Sequence, residues 1–288
     1  MTKEKLFTKT RWKFKGGDYE LDSNFLIVGV LNLTPDSFYD GGKYKTLSAA
    51  MTQAKKMVEE GADIIDVGGE STRPGAEEIP AELQITRISE TIKKLVEEGI
   101  IVSVDTRKKE VAEKMLDIGA KIINDVSGLG DVSMPNIVAR YGAGLVVMHI
   151  KGTPKTMQEN PNYVDTVHEV KESLRKRTEL AVNAGINPSS IIIDPGIGFG
   201  KRAEDNLKLI SETEKFLDLG FGIMLGISRK SFLGAVNAGE KPAERLAGTL
   251  AMTALAYERG ARIFRTHDTG ETKKALFAAK ALINIEKR

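Results

Sequence analysis

Apolar side chains in this chain gather into eight short runs, at 25–31, 63–67, 100–104, 121–123, 145–148, 191–193, 222–226 and 262–264. Each run is near-continuous rather than alternating, the pattern of parallel strands covered on both faces. Between the runs the period lengthens to that of a helix. Over 46–60 the apolar positions are Leu47, Ala50, Met51, Ala54, Met57 and Val58, one stripe of a helix, and 81–98 repeats the pattern with Ile85, Ile88, Ile92, Leu95 and Val96. Gly61, Gly99, Gly119, Gly142, Gly185, Gly220 and Gly260 each stand shortly before one of the later runs, where a left-handed residue ends a helix. A last helix is predicted over roughly 271–285.

Eight strand–helix units in about 250 residues predict an α/β fold, a (β/α)8 TIM barrel. An open doubly wound sheet is the competitor, but eight regular units without a nucleotide fingerprint favour closure. Ahead of the first unit, "RWKFKGGDYEL" alternates Trp12 and Phe14 against Tyr19 and Leu21 around Gly16 and Gly17. That pattern predicts a short N-terminal β-hairpin, placed to close the barrel floor. The expected organisation is one domain over 1–288, with 1–24 as the hairpin extension and 25–288 as the barrel.

Composition narrows the chemistry. The 288 residues are 41% hydrophobic, enough for a large core, and 42 basic residues nearly balance 40 acidic ones. A net charge of +2 without clustering argues against a nucleic-acid surface. Cysteine is absent, which excludes thiolate catalysis and cysteine-ligated metal. No apolar stretch reaches the ~18 residues of a membrane helix, and the basic N-terminus lacks an apolar signal core. The expectation is a soluble cytoplasmic protein.

A barrel of this class carries its active site at the C-terminal strand ends. The residues that end the runs are Asn32, Asp66 with Glu70, Asp105 with Arg107, Asn124 with Asp125, His149, Asp194, the stretch Ser228 to Ser231, and His267 with Asp268, preceded by Arg265. Any one acid there is equally explained as a helix cap; Thr106 offers a cap that frees Asp105. The segment "DPGIGFGK" at 194–201 is neither a Walker loop nor a dinucleotide fingerprint, because Gly196 and Gly200 are too close and Lys201 stands where a third glycine belongs. It reads as a strand-end acid followed by a yielding loop. His168 lies in a charged helical stretch, His149 fits a ligand or a core residue, and His267 is the best site candidate. With no paired-histidine spacing, a tightly held zinc is not expected. Arg73, Lys230, Arg265 and His267, with the Thr72 hydroxyl, supply an anion site beside acids and amides suited to the amino edge of a heterocycle.

The strand-end motifs resemble those of the dihydropteroate synthase family: "VGVLNLTPDSFYDGG", "IIDVGGESTRPGA", "VSVDTRK", "IINDVSG", "VVMHIKGTP", "IIIDPGIGFGK", "GISRKSFLG" and "FRTHD" occur in order, one per unit. The resemblance implies a transferase of folate synthesis that joins 6-hydroxymethyl-7,8-dihydropterin diphosphate to para-aminobenzoate and releases diphosphate, with Mg²⁺ as cofactor. It implies pterin binding by Asp105, Asn124, Asp194 and Lys230, and diphosphate binding by Asn32, Thr72, Arg73, Arg265 and His267. Asn32 would ligate the metal, joined through water by Asp40. Phe38, Pro74 and Ser231 would hold para-aminobenzoate, and Asp105, Lys230, Arg265 and His267 would carry the catalytic step. It further implies mobile loops at 34–42 and 69–76, sulfonamide competition and a homodimer through the later helices, with small-molecule substrates and no nucleic-acid or membrane partner. Two departures stand out. Thr266 replaces an apolar residue and is expected in the wall or helix layer, and Tyr39 replaces a small one. The rivals are a corrinoid-linked pterin methyltransferase, which has no use for a diphosphate clamp, and a pterin-binding module without turnover.

Overall fold

The computed structural model describes residues 10–34, 43–236 and 239–286. Two antiparallel strands come first, β1 (Arg11–Phe14) and β2 (Gly17–Glu20), with Trp12 opposite Tyr19. Eight parallel strands follow: β3 (Leu26–Asn32), β4 (Ile64–Gly68), β5 (Val102–Asp105), β6 (Ile122–Asp125), β7 (Gly144–Met148), β8 (Ile191–Asp194), β9 (Gly222–Leu225) and β10 (Ile263–Thr266). They close in the order β10-β3-β4-β5-β6-β7-β8-β9, with β9 paired to β10. The barrel and the hairpin are those expected.

Around the barrel lie α1 (Lys43–Glu59), α2 (Ala81–Glu97), α3 (Lys109–Ile118), α4 (Met134–Tyr141), α5 (Thr166–Asn183), α6 (Ala203–Ser211), α7 (Ser231–Val236), α8 (Leu246–Glu258) and α9 (Thr269–Glu286). The unit after β9 therefore carries two helices where the sequence rhythm suggested one, because a 3-10 turn at Pro242–Glu244 divides it. All seven helix-ending glycines have positive φ; at Gly119 the value is 120°, outside what a side chain tolerates.

Strand residues facing outward, among them Ile27, Ile65, Val104, Ile123, Val147, Ile193, Leu225 and Phe264, are buried against the helices in one continuous core. Each such side chain contributes on the order of 1.5–3 kcal/mol by leaving water. The residues between them face the lumen. Its lower half is a second apolar cluster of Leu26, Val28, Ile64, Ile122, Val146, Ile192, Met224 and Ile263, capped by Trp12, Phe14 and Leu21 from the hairpin. The Trp12 indole N–H donates to the Ser190 carbonyl at 3.0 Å, so the plug carries no unpaired polar group of its own. The hairpin thus closes the floor.

Following the same inward columns upward changes the chemistry. Two residues beyond Ile64 stands Asp66, beyond Ser103 Asp105, beyond Ile122 Asn124, beyond Ile192 Asp194 and beyond Ile263 Arg265. Several of these lie inside the strands, whose regular pairing extends past the apolar runs. Thr266, one residue off this register, faces the helix layer, where its buried hydroxyl pairs with Thr272 at 3.0 Å. Its burial is satisfied.

Candidate active site

The mouth of the lumen holds a single polar network from four strands. Arg265 donates from Nε to Asp66 Oδ2 at 2.6 Å and from Nη2 to Asp105 Oδ2 at 2.8 Å. The Asn124 amide donates to the same Asp66 oxygen at 3.1 Å. Asp66, Asp105 and Asn124 are all buried, and Asp66 Oδ1, Asp105 Oδ1 and Asn124 Oδ1 have no protein partner. Buried acceptors without donors are costly, so the free oxygens of Asp105 and Asn124 suit this mouth to hydrogen-bond donors. Burial, reinforced by the carboxylates of Asp66, Glu70 and Asp125, raises the Asp105 pKa to about 7 against the pull of Arg265. Burial also opposes the Arg265 charge, but Asp66, Asp105 and Asp194 together keep its pKa raised.

Asp194 and Lys230 form the other half. Asp194 is buried, and its Oδ1 accepts the Gly196 N–H at 2.7 Å. Burial raises its pKa, with Lys230 as the chief opposing charge. Lys230 donates to the Ile197 carbonyl, lies 4.5 Å from the centre of the Phe199 ring, and is brought by burial to a pKa of about 8. Lys230 and Arg265 stand on either side of Gly226, where a Cβ would come within 3.7 Å of the Lys230 ammonium and 3.8 Å of Arg265 Cβ. Val126, Met148, Ile150 and Met157 make an apolar cluster against which Phe199 packs. Sequence reasoning passed over Met148, although it lies two residues beyond inward-facing Val146.

The glycine-rich loop after β8 is folded around its own lysine. Lys201 is buried and its ammonium meets His149 Nδ1 at 3.0 Å, the Gly196 carbonyl at 2.8 Å and the Phe199 carbonyl at 3.0 Å. Burial holds the pKa of both Lys201 and His149 well below their ordinary values. Gly196, at φ 71°, passes so close to the His149 carbonyl that a Cβ would lie 1.8 Å from it. His149 is therefore a core residue that braces the loop. The glycines serve a cage of carbonyls rather than a phosphate.

After the next two strands round the barrel, β9 and β10, Ser228 Oγ lies 3.0 Å from His267 Nδ1 and accepts the His267 N–H at 3.3 Å. Its hydroxyl proton is thus free for Nδ1, which leaves Nε2–H as an outward donor. Burial, then the charge of Arg265, lowers the His267 pKa to about 4, although the residue as a whole is exposed. Arg73 is among the charges acting on it. Thr72, Arg73 and Pro74 lie in the loop after β4, which is tied across the mouth by the Gly75 N–H donating to the Pro154 carbonyl at 3.0 Å. The Asn32 amide oxygen stands 3.5 Å from where a Cβ on Gly68 would be, as does Asp105 Cβ. Ser231 is exposed at the first position of α7. Phe38, Tyr39 and Asp40 lie outside the described residues.

Other strand-end polar residues hold loops. Asp125 accepts the N–H groups of Ser127 at 2.8 Å and Leu129 at 3.1 Å. Glu70 accepts the Ile79 N–H at 2.9 Å and pairs with Arg107 at 3.4 Å. Arg229 spans Asp268 with two bonds of 2.8 and 2.7 Å. Thr106 takes the Lys108 N–H at 3.2 Å ahead of α3, and Asp105 is left to the lumen. His168 is exposed on α5. The distinguishing signal was register: Asn124 shares the parity of inward Ile122, and Asp125 does not.

Residues 28–267 match the model of the pterin binding enzyme family. A dihydropteroate synthase from Synechocystis sp. is 41% identical over 258 residues, 89% of each chain. A probable bifunctional folylpolyglutamate synthase/dihydropteroate synthase from Haloferax volcanii is 44% identical over 92% of this chain, which spans only 31% of that relative's length. The solved structure of Xanthomonas albilineans dihydropteroate synthase with 4-aminobenzoic acid is 39% identical and superposes with a TM-score of 0.89, covering 96% of this chain and 98% of that one. The chain belongs to the pterin binding enzyme family and, within it, to the dihydropteroate synthases.

Proposed function

We infer that the protein is a transferase of folate biosynthesis that condenses 6-hydroxymethyl-7,8-dihydropterin diphosphate with para-aminobenzoate, giving 7,8-dihydropteroate and diphosphate. The observation that carries this reading is the barrel mouth itself, with Asp105, Asn124, Asp194, Lys230 and Arg265 on one buried rim whose free acceptors fit a donor-rich heterocycle. A pterin presents an amino group and a ring N–H side by side, which the Asp194 carboxylate takes as a charge-assisted pair. Lys230 spends one of its three N–H donors on Ile197 and offers the others to the ring carbonyl and ring nitrogen. Asn124 serves the neighbouring edge. Asp105 faces the ring system and stabilises positive charge as the methylene parts from its diphosphate. Phe199 and Met148 supply flat apolar contact.

The leaving group is assigned to Asn32, Thr72, Arg73, Arg265 and His267. Neutral His267 donates through Nε2–H, and the two guanidiniums match phosphate oxygens. Among the described residues no group of three or more histidine, cysteine or acidic side chains surrounds a metal position. One hard oxygen from Asn32 fits Mg²⁺, which keeps most of its waters and leans on substrate phosphates. When bound, the ion neutralises charge on the diphosphate. The aromatic amine bonds to the methylene carbon as its C–O bond to the diphosphate breaks, and the surplus amine proton passes to water or the freed diphosphate, so preorganised charge carries the reaction. Para-aminobenzoate is assigned to Phe38, Pro74 and Ser231, and sulfonamides should compete with it; noncompetitive inhibition would point to a different second pocket.

We also assign a homodimer. Leu255 on α8 and Phe277, Leu282 and Ile285 on α9 are 46%, 53%, 61% and 70% exposed, an apolar face on adjacent helices suited to a second copy of the chain. Among the described residues no helix is long and apolar enough to cross a membrane, which suits the cytoplasmic site expected of such an enzyme. Diphosphate release is the test of the reaction. It should require para-aminobenzoate; release without it, or binding of the pterin with no release, would refute the assignment.

A further inference from the structure

We propose that Asp66 is a positioning residue of this site: one carboxylate oxygen fixes both the sense of the Asn124 amide and the angle of the Arg265 guanidinium. The inference rests on the reading above, in which Asn124 and Arg265 touch substrate.

Asp66 sits in the middle of β4 and is completely buried. Two residues on, Gly68 has no side chain, so nothing from β4 stands between Asp66 and the mouth. A carboxylate out of water is expensive unless paired and hydrogen-bonded. Here both bonds fall on Oδ2, from Arg265 Nε at 2.6 Å and from Asn124 Nδ2 at 3.1 Å. An acceptor-only carboxylate admits only the NH₂ end of the Asn124 amide, so Asn124 Oδ1 is turned away and left without a partner. Arg265 is held by its Nε, which leaves the fork to span Asp105 through Nη2. The remaining oxygen, Asp66 Oδ1, has no protein partner, and a cavity of about 10 Å³ bounded by Asp66, Ser103, Asn124 and Trp12 lies below the network. That is room for about one water. Asp66 thus joins one residue assigned to the pterin and one assigned to the diphosphate without facing either ligand.

Because both bonds share one oxygen, Asp66→Asn can keep them with its carbonyl and turn its NH₂ toward the cavity, removing only the charge. Asp66→Ala removes the bonds as well. In Asp66→Ala the KM for the pterin diphosphate should rise about 10- to 10²-fold, the scale of a displaced positioning contact, with the KM for para-aminobenzoate within twofold. In Asp66→Asn the KM should stay within about threefold of the parent. The acid limb of its kcat/KM against pH, set by ionisation of Asp105, should instead move to lower pH, because Asp105 then faces one fewer carboxylate. The groups acting on Asp105 are Asp66 and Glu70 from β4 and its loop, Asp125 on β6, Lys230 after β9 and Arg265 on β10. Independently of turnover, the Arg265 Nε–H proton should be protected from exchange in the parent and in Asp66→Asn and lost in Asp66→Ala. Unchanged pterin KM in a folded Asp66→Ala overturns the proposal. If that variant does not fold, an Arg265 Nε–H that exchanges freely in the parent overturns it. A parent that binds pterin without releasing diphosphate refutes the reaction alone, and the exchange measurement still decides Asp66.

Discussion

The two ends of the barrel lumen share the same strands and the same alternation, yet they do opposite work. Below the middle, Ile64, Ile122, Ile192, Met224 and Ile263 pack on Trp12 and Phe14, whose rings meet edge-to-face with centroids 5.1 Å apart. Above it, one step along the same columns, are Asp66, Asn124, Asp194 and Arg265; Asp66 and Asn124 each keep an unpartnered oxygen, and burial raises the Asp194 pKa. The lower end stores stability and the upper end draws on it. A mouth of buried acids persists only because a well-packed floor and helix layer hold it in place.

The contrast is broken most strongly from below. Trp12→Ala should cost about 3–5 kcal/mol of stability, as large-to-small changes in packed cores do, while KM for both substrates is retained in the folded fraction. Denaturant melts beside steady-state kinetics check this, and loss of affinity at full stability would show that the floor shapes the site directly. From above, Asp194→Ala leaves Lys230 without its main counter-charge and the pterin without its acceptor. A fall in kcat/KM of about 10²–10³-fold is expected, with a loss of stability smaller than that of Trp12→Ala because Lys230 keeps its bond to the Ile197 carbonyl.

The pH profile sharpens the comparison. With Asp105 titrating at about 7, kcat/KM should rise roughly tenfold per pH unit below that value and level off above it; a flat profile from pH 5 to 8 would remove ionised Asp105 from the step. The sign for stability is the reverse. A carboxyl whose folded pKa lies above its unfolded one favours the folded state below about pH 4, and that contribution is lost as pH rises toward 7. The smallest effect is expected at Ser228→Ala, which frees the His267 tautomer: a two- to fivefold rise in KM for the pterin diphosphate, with para-aminobenzoate unaffected, would fit a lost hydrogen bond of about 0.5–1 kcal/mol.

Much of this was legible in the chain. Eight apolar runs, the glycines between them and one polar tip per unit led to the barrel, the hairpin floor and a convergent site. What was hidden depends on contacts between distant residues. In the sequence Arg265 has the marks of an anion ligand, and nothing local reveals that it is shared between Asp66 and Asp105, 199 and 160 residues away. Lys201 in the sequence invites comparison with phosphate loops, and only the fold shows its ammonium buried among carbonyls of its own loop. Asp125 and Asn124 are neighbours of similar polarity. The parity of the strand separates them, and it could have been applied from the sequence alone.

The most direct measurement is a crystal structure of the protein soaked with the pterin diphosphate. The expected result places the ring in the mouth, its amino edge on Asp194, Lys230 on the ring carbonyl side, Asn124 on the adjoining edge and the diphosphate toward Arg73, Arg265 and His267. A pterin bound elsewhere, or a ring in the mouth with Asp194 turned away from it, would contradict the site.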